Sequence, residues 1–355
     1  MQIVYFPYLN MQNTEEIDFG FLEIWNFDIM KNKYIQDANL LSRISKILET
    51  NQDYFSGSIK GIGVVSIENT DFREFNQQEI DLIKEARLIL FISFLSKNNI
   101  MRVGINAGHW FASTENFNTA FQNFAIDSDH MAIRDGYIVN VMAGGYRMDK
   151  NIFYRPSNVL NPQFFSIDED LLSNLLIIRS NKPRVFRKII ASIELLSESY
   201  YNSMLVSNNA RILCQMSAFE MLLELPDIEQ RKVFKNRVEA EVSHPNEKRY
   251  VHYSEVKGGI NRKERRTLKG IWADQFYTLR NHIIHGLKIN TKDYIFKKTQ
   301  RHFDIALLFF IFFIKAQINK SLGKLVFSQR IEWEEYTEQN AGNYEKYYMF
   351  RYYTY

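Results

Sequence analysis

Two periods of apolar spacing divide this chain. Over residues 1–165 short apolar runs alternate with longer amphipathic ones. Ile3–Tyr8 and Phe19–Phe27 are rich in β-branched and aromatic residues, which predicts strands. Gly57–Ile67 (GSIKGIGVVSI) predicts a strand punctuated by glycine, and Phe117–Ile126 and Ala132–Met142 predict two more, joined near Asp127–Asp129. Asp37–Leu48 reads as a helix. Asn76–Ser96 reads as a longer one, with Ile80, Ile83, Ala86, Leu90 and Phe94 recurring at helical spacing. Pro156 and Pro162 bracket a boundary. The pattern predicts an α+β domain over residues 1–165.

From about Ile167 to Leu322 the helical period takes over. Helices are predicted at Pro183–Asn202, Asn208–Leu225, Ile228–Val242, Asn261–Gly286 and Asp293–Ser321, with Asn208 or Asn209 as a cap and Gly286 as a terminator. Ser243–Gly259 is polar and reads as a loop. The last helix carries the run Ile305–Ile314, so it should be the buried one. After Gly323 the period returns to two. Leu325–Tyr336 and Tyr344–Tyr355 predict strands around a Gln339–Asn343 turn, as a hairpin or as an addition to the first domain's sheet. The organisation expected is an α+β domain at 1–165, an all-α bundle at 166–322 and a strand tail at 323–355.

Composition narrows the class. The chain has 355 residues, 46% of them hydrophobic, which is enough for proper cores and excludes global disorder. A single cysteine, Cys214, excludes a disulfide scaffold, and its apolar helical setting predicts a buried, inert thiol. The longest apolar run is 10 residues, against about 20 for a membrane span. The start lacks the pattern of a signal peptide. A soluble, cytoplasmic protein with no membrane partner is expected.

Net charge is only +3, but Arg231–Lys269 holds twelve basic and five acidic residues. Its excess of +7 leaves −4 for the remainder. Such a stretch reads either as a phosphate-binding surface or as a solvated helix face and loop. Arg262, Lys263, Arg265 and Arg266 are its densest part and the candidate RNA contacts.

The most informative segment is Ile271–Asn290 (IWADQFYTLRNHIIHGLKIN). On a helix at about 100° per residue, Trp272, Phe276, Leu279 and Ile283 form one apolar stripe. Tyr277, Asn281 and His285 fall on an opposing polar row, with Arg280 one step around. A helix end favours a cation, which should keep the His285 imidazole near or above neutral. Such an imidazole can move protons, and an arginine beside it can grip a phosphate. The bland reading is a salt-bridged Arg280 and a His285 that merely caps the helix. Arg-x(4–6)-His-like spacings also occur at Arg102–His109 and Arg237–His244, so the spacing alone is weak.

The helical half resembles a HEPN domain, most closely the Apea-like group. It carries that family's Arg-Asn-x-x-x-His pattern as Arg280, Asn281 and His285, followed by Gly286. An upstream segment, Arg211–Leu223 (RILCQMSAFEMLL), fits the family's earlier helix with Glu220 at its acidic position. The resemblance covers about residues 180–322. It implies a metal-independent endoribonuclease without cofactor, acting on RNA as a homodimer with Arg280 and His285 as the catalytic pair. Asn281 would support them, and Glu220 either orients Arg280 or is merely an exposed or capping carboxylate. Tyr277 is left as a base-stacking surface or a dimer contact, and His282 as structural. The family further implies a toxin or anti-phage effector, with the first domain sensing a trigger, binding an inhibitor or positioning substrate. The alternative is a non-catalytic RNA-binding or oligomerisation scaffold.

Other features carry less. Gly57, Gly61 and Gly63 lack phosphate-loop spacing, and no His/Asp/Glu cluster has metal-ligand spacing. His109 and Trp110 read as local packing. The aromatic tail Tyr347–Tyr355 reads as a docked strand rather than an RNA stacking platform.

Overall fold

The computed structural model describes residues 1–11, 14–52, 57, 59–67, 72–97, 114–124, 130–134, 146–147, 153–154, 166–201, 206–242, 247–255, 261–297, 300–340 and 343–354. They fall into two compact units, one holding those of Met1–Asn98 and Trp110–Leu172, the other those of Ser173–Tyr355. The expected features at Gly108–Trp110, Asp127–Asp129, 135–142, Pro156, Pro162 and His244–Pro245 lie outside the described residues.

The first unit is built on a seven-stranded sheet. Its strands are β1 (Gln2–Asn10), β2 (Glu16–Asp18), β3 (Glu23–Asn26), β5 (Ile62–Ser66), β6 (Ala120–Phe124), β7 (His130–Arg134) and β8 (Tyr146–Arg147), in spatial order β2-β3-β5-β1-β6-β7-β8. Every pairing among them is antiparallel. β4 (Asn51–Gln52) pairs in parallel with β9 (Phe153–Tyr154). The β-branched and aromatic run at Ile3–Tyr8 is buried on both faces: Ile3 and Tyr5 join one core cluster, and Val4 and Phe6 are buried as well. The predicted strand Phe19–Phe27 is shorter than expected. Asn26 caps the Asp28 amide and turns the chain into helix α1 (Phe27–Tyr34). Asp37 caps α2 (Ala38–Glu49) through the amides of Asn39 and Leu40. The long helix α3 (Gln77–Lys97) is buried without a break from Leu88 to Ser96, so its apolar residues occupy the whole circumference rather than one stripe.

The second unit is mostly helical and ends in strands. Helix α4 (Glu169–Asn181) spans the division, with Glu169–Leu172 in the first unit and Ser173–Asn181 in the second. There follow α5 (Pro183–Ser199), α6 (Asn208–Leu223), α7 (Gln230–Val242), strands β10 (Tyr250–Glu255) and β11 (Asn261–Arg266), α8 (Leu268–Ile284), strands β12 (Ile295–Lys297) and β13 (Gln300–Arg301), α9 (His302–Leu322), β14 (Gln329–Asn340) and β15 (Asn343–Thr354). Phe219 of α6 is the hub. Its ring meets Phe234 on α7, Trp272 and Phe276 on α8, and Phe310 and Phe313 on α9, at centroid separations of 5.3–6.4 Å. Burying such a ring contributes on the order of 2–3 kcal/mol by area, and edge-on ring pairs add to it.

Five sequence expectations change here. The cap of α6 is Ser207, whose hydroxyl accepts from the Ala210 amide, not Asn208 or Asn209. The predicted loop over Ser243–Gly259 contains β10. The predicted helix Asn261–Gly286 begins only at Leu268, because Asn261–Arg266 pairs with β10 in an unbroken antiparallel register from Tyr250–Arg266 to Glu255–Asn261. Thr267 then accepts from the Gly270 amide as the helix cap. The predicted helix Asp293–Ser321 starts nine residues late, after a one-turn helix at Thr291–Tyr294 and the β12–β13 pair. Cys214 is half-buried rather than sealed, with burial raising its thiol pKa.

Helix α9 is long and apolar enough to cross a membrane, with a mean hydropathy of 1.6, yet 67% of that window is buried inside the protein. It is the buried helix the sequence predicts. Among the described residues the terminal strands β14 and β15 pair only with each other, in register from Gln329–Thr354 to Asn340–Asn343, and pack on α9. They form a hairpin rather than an extension of the first unit's sheet.

Candidate functional site

Helix α8 positions the sequence-predicted site. Its neighbours are α6, α7, β10 and β11, together with α9 through the Trp272–Phe309 ring contact at 4.5 Å. Cover on so many sides leaves little room for a polar row along its length. Leu268–Asp274, Phe276, Tyr277 and Leu279 are all buried. Tyr277, placed by periodicity on the solvent side, is 3% exposed. Its hydroxyl donates to Gln230 Oε1 at 2.7 Å and approaches Glu220 Oε1 at 3.4 Å, and burial raises its pKa to about 12. Neither of the two roles left open for Tyr277 matches this position. The ring is packing, and it serves as a platform for Arg280, whose guanidinium carbon lies 5.4 Å from its centroid.

Arg280 is held on two further sides. Nη2 lies 3.0 Å from Glu220 Oε1, and Nη1 donates to Asn281 Oδ1 at 3.2 Å. Glu220 therefore orients Arg280 and is not a helix cap. Both side chains are about one-fifth exposed, so the ion pair is shielded from solvent but reachable from it. Of the five guanidinium N–H groups, these contacts occupy two.

The helix ends as the sequence predicts. Gly286 adopts φ +65°, and the Leu287 amide donates to the His282 carbonyl at 2.9 Å. His285 becomes the C-cap residue and is exposed. The cluster thus combines a restrained guanidinium, a carboxamide and an exposed imidazole within one and a half turns.

Part of the basic stretch fits neither reading of it, because several of its cations turn inward. Arg231, Lys235 and Glu239 lie four residues apart on one face of α7 and turn inward. Arg231 binds Asp274 of α8 with two bonds, Nε to Oδ1 at 3.0 Å and Nη2 to Oδ2 at 2.9 Å. Lys235, with a side chain 7% exposed, bridges Glu264 at 3.0 Å and Asp274 at 3.4 Å. His252 of β10 donates Nε2–H to Asp274 Oδ2 at 2.8 Å. Burial alone would raise the Asp274 pKa, but these hydrogen bonds and cations outweigh it and hold the carboxyl well below the usual range.

Of the four candidate RNA contacts, Arg266 is spent on this network. It donates to Glu239 Oε2 at 2.5 Å and to Glu264 Oε2 at 2.8 Å, and this pairing raises its pKa against the effect of burial. Arg262 is exposed and lies 3.8 Å from Glu264. Lys263 and Arg265 are exposed on alternate positions of β11. The hairpin, rather than a helix, presents them.

Sequence reasoning missed Asp274, His252 and the role of Arg231 and Lys235. One signal was present. A carboxylate between Ala273 and Gln275 on a helix otherwise buried all round needs cations, and Arg231, Lys235 and Glu239 share a helical face. Among the described residues no group of three or more His, Cys, Asp or Glu side chains is placed to hold a metal ion. No family model, curated protein or solved structure matches the chain.

Proposed function

We propose that this protein is a metal-independent endoribonuclease of HEPN type that acts as a cytoplasmic homodimer. The observation that carries the reading is the Arg280 guanidinium, oriented by Glu220, Asn281 and Tyr277, five residues before an exposed His285. RNA contains its own nucleophile in the 2′-hydroxyl. The protein must take that proton, stabilise charge on the phosphoryl oxygens and return a proton to the departing 5′-oxygen. His285 moves protons and Arg280 binds the phosphoryl oxygens. The second copy supplies the second imidazole. Products would be a 2′,3′-cyclic phosphate and a 5′-hydroxyl. The first unit would hold the nuclease off or respond to a trigger, as in a toxin or anti-phage effector.

The test is cleavage of labelled RNA by purified protein in the presence of EDTA. His285→Ala and Arg280→Ala should each abolish cleavage with thermal stability preserved. Undiminished cleavage by folded His285→Ala protein rejects the assignment.

A second reading is favoured by the outward-facing Lys263 and Arg265 on β11. There the chain is an RNA-binding scaffold. It predicts salt-sensitive RNA binding that Lys263→Glu/Arg265→Glu abolishes, that His285→Ala leaves intact, and that yields no cleaved product.

A further inference from the structure

A second cationic stretch lies outside the candidate site. Residues 171–193 carry five cations, Arg179, Lys182, Arg184, Arg187 and Lys188, and no Asp or Glu. In the fold these five gather where α4 passes into α5, within the second unit. Helical bonding reaches the Lys182 amide, which donates to the Ile178 carbonyl at 2.8 Å. It resumes where the Phe186 amide donates to the Lys182 carbonyl at 3.0 Å. Between them Lys182 takes φ −140° and ψ 60°, with Pro183 opening α5, so the helix is broken at a corner. At about 1.5 Å per residue the five cations span roughly 14 Å, less than two Debye lengths at physiological salt, and their fields add.

These charges are left outward, unlike Arg231, Lys235 and Arg266. Lys188 Nζ lies 3.2 Å from Glu224 Oε1. Lys182, Arg184 and Arg187 are exposed, and among the described residues no carboxylate pairs with any of the three. Arg187 Nε donates to the Pro183 carbonyl at 3.4 Å, which leaves the rest of its fork to solvent. Five cations less Glu224 leave a local charge of +4. Isolated surface ion pairs contribute little, so a partner for this corner is a dense array of anions. Its shape selects which array. Ser180, Asn181, Lys182, Pro183 and Arg184 are exposed in succession. Five residues cover more than one helical turn, so the corner meets water on every side and forms no groove for a peptide. Its one aromatic ring, Phe186, is 2% exposed and gives a nucleic-acid base no platform. Ile177, 43% exposed, adds aliphatic surface instead. A cluster of cations on a projecting, partly aliphatic corner matches a bilayer that displays anionic headgroups.

We propose that the α4–α5 corner is a peripheral contact with anionic phospholipid membranes, made through Lys182, Arg184 and Arg187. It touches headgroups and inserts no helix, so a search of the sequence for spanning segments does not reveal it. The contact does not depend on whether the protein cleaves RNA.

Co-sedimentation of the full-length protein with vesicles tests this. One set is phosphatidylcholine alone, and the other contains about one-third phosphatidylglycerol. The protein should sediment with the anionic vesicles at about 0.1 M salt, come off at about 0.5 M, and ignore the neutral ones. The triple variant Lys182→Ala/Arg184→Ala/Arg187→Ala changes exposed positions only, so its Tm should match wild type. Its partitioning should fall on the order of 100-fold. Lys263→Ala/Arg265→Ala, on the β10–β11 hairpin, should leave partitioning unchanged. Failure of the wild type to bind anionic vesicles overturns the proposal. So does binding that the triple variant retains, or an equal loss in the hairpin variant, which would trace the effect to overall charge. Weakened binding of a short RNA by the triple variant, with vesicles left unbound, overturns it in favour of a nucleic-acid surface.

Discussion

Replacing Asp274 by Asn removes one charge and almost no volume. The carboxylate is 2% exposed and is met by Arg231, Lys235 and His252 at 2.8–3.4 Å. Lys235 is 7% exposed, so its ammonium would be left facing an amide inside the protein, with only Glu264 as counter-charge. Removing one partner of a buried ion pair costs about 3–5 kcal/mol, chiefly because the remaining charge stays buried. In a domain of about 150–250 residues each kcal/mol lowers Tm by roughly 2–4 °C, so the loss should be roughly 6–20 °C. The exposed Lys232–Glu229 pair supplies the contrast. Lys232→Ala should cost under about 1 kcal/mol. The assay is thermal unfolding followed by circular dichroism, over a series of pH values. The Asp274 pKa is depressed in the folded protein, so its contribution is complete above the unfolded value near 4 and is lost only as pH falls below it. The gap between wild type and Asp274→Asn should therefore stay constant from pH 7 to about 5 and narrow under stronger acid. A Tm change under about 2 °C at neutral pH would refute the claim that this network organises α7, α8 and the β10–β11 hairpin.

Three further outcomes are expected. Gly286→Ala meets no neighbour within 4 Å but forces φ +65° on a residue with a Cβ, so about 1 kcal/mol should be lost in urea unfolding. Glu220→Gln loosens Arg280 without opening a hole, and if the chain cleaves RNA the rate should fall by roughly 10–100-fold with unchanged Tm. Burial pushes the Asp304 pKa up to about 6, although Arg301 opposes the shift. The folded state therefore holds that proton more tightly, and this group's contribution should fall as pH rises from about 4 to 6, by at most about 3 kcal/mol. An Asp304→Asn variant should lack that slope in pH-dependent denaturation.

What could be read from the sequence followed periodicity. Gln77–Lys97 and Gln230–Val242 form helices where the apolar spacing puts them, and the final strands pair around the Gln339–Asn343 segment. Asn261–Arg266 was misread because five of its six residues are charged or polar helix formers with no apolar period to contradict a helix. Its structure comes from pairing with β10, which is a tertiary cause that local propensity does not carry. Tyr277 was misplaced for a related reason. A helix wheel separates faces only when one face meets solvent, and α8 is covered almost all round. Gly286 and its left-handed turn were visible directly, since glycine there is a local requirement. The Asp274 network was not visible, because its members come from α7, β10, β11 and α8 and meet only in the fold.

Lys235 joins two carboxylates that belong to different elements, Glu264 on the hairpin and Asp274 on the helix bearing Arg280. The strand that presents Lys263 and Arg265 is thereby tied to α8 through a single ammonium. Neutralising Lys235 would break both of these bridges at one stroke.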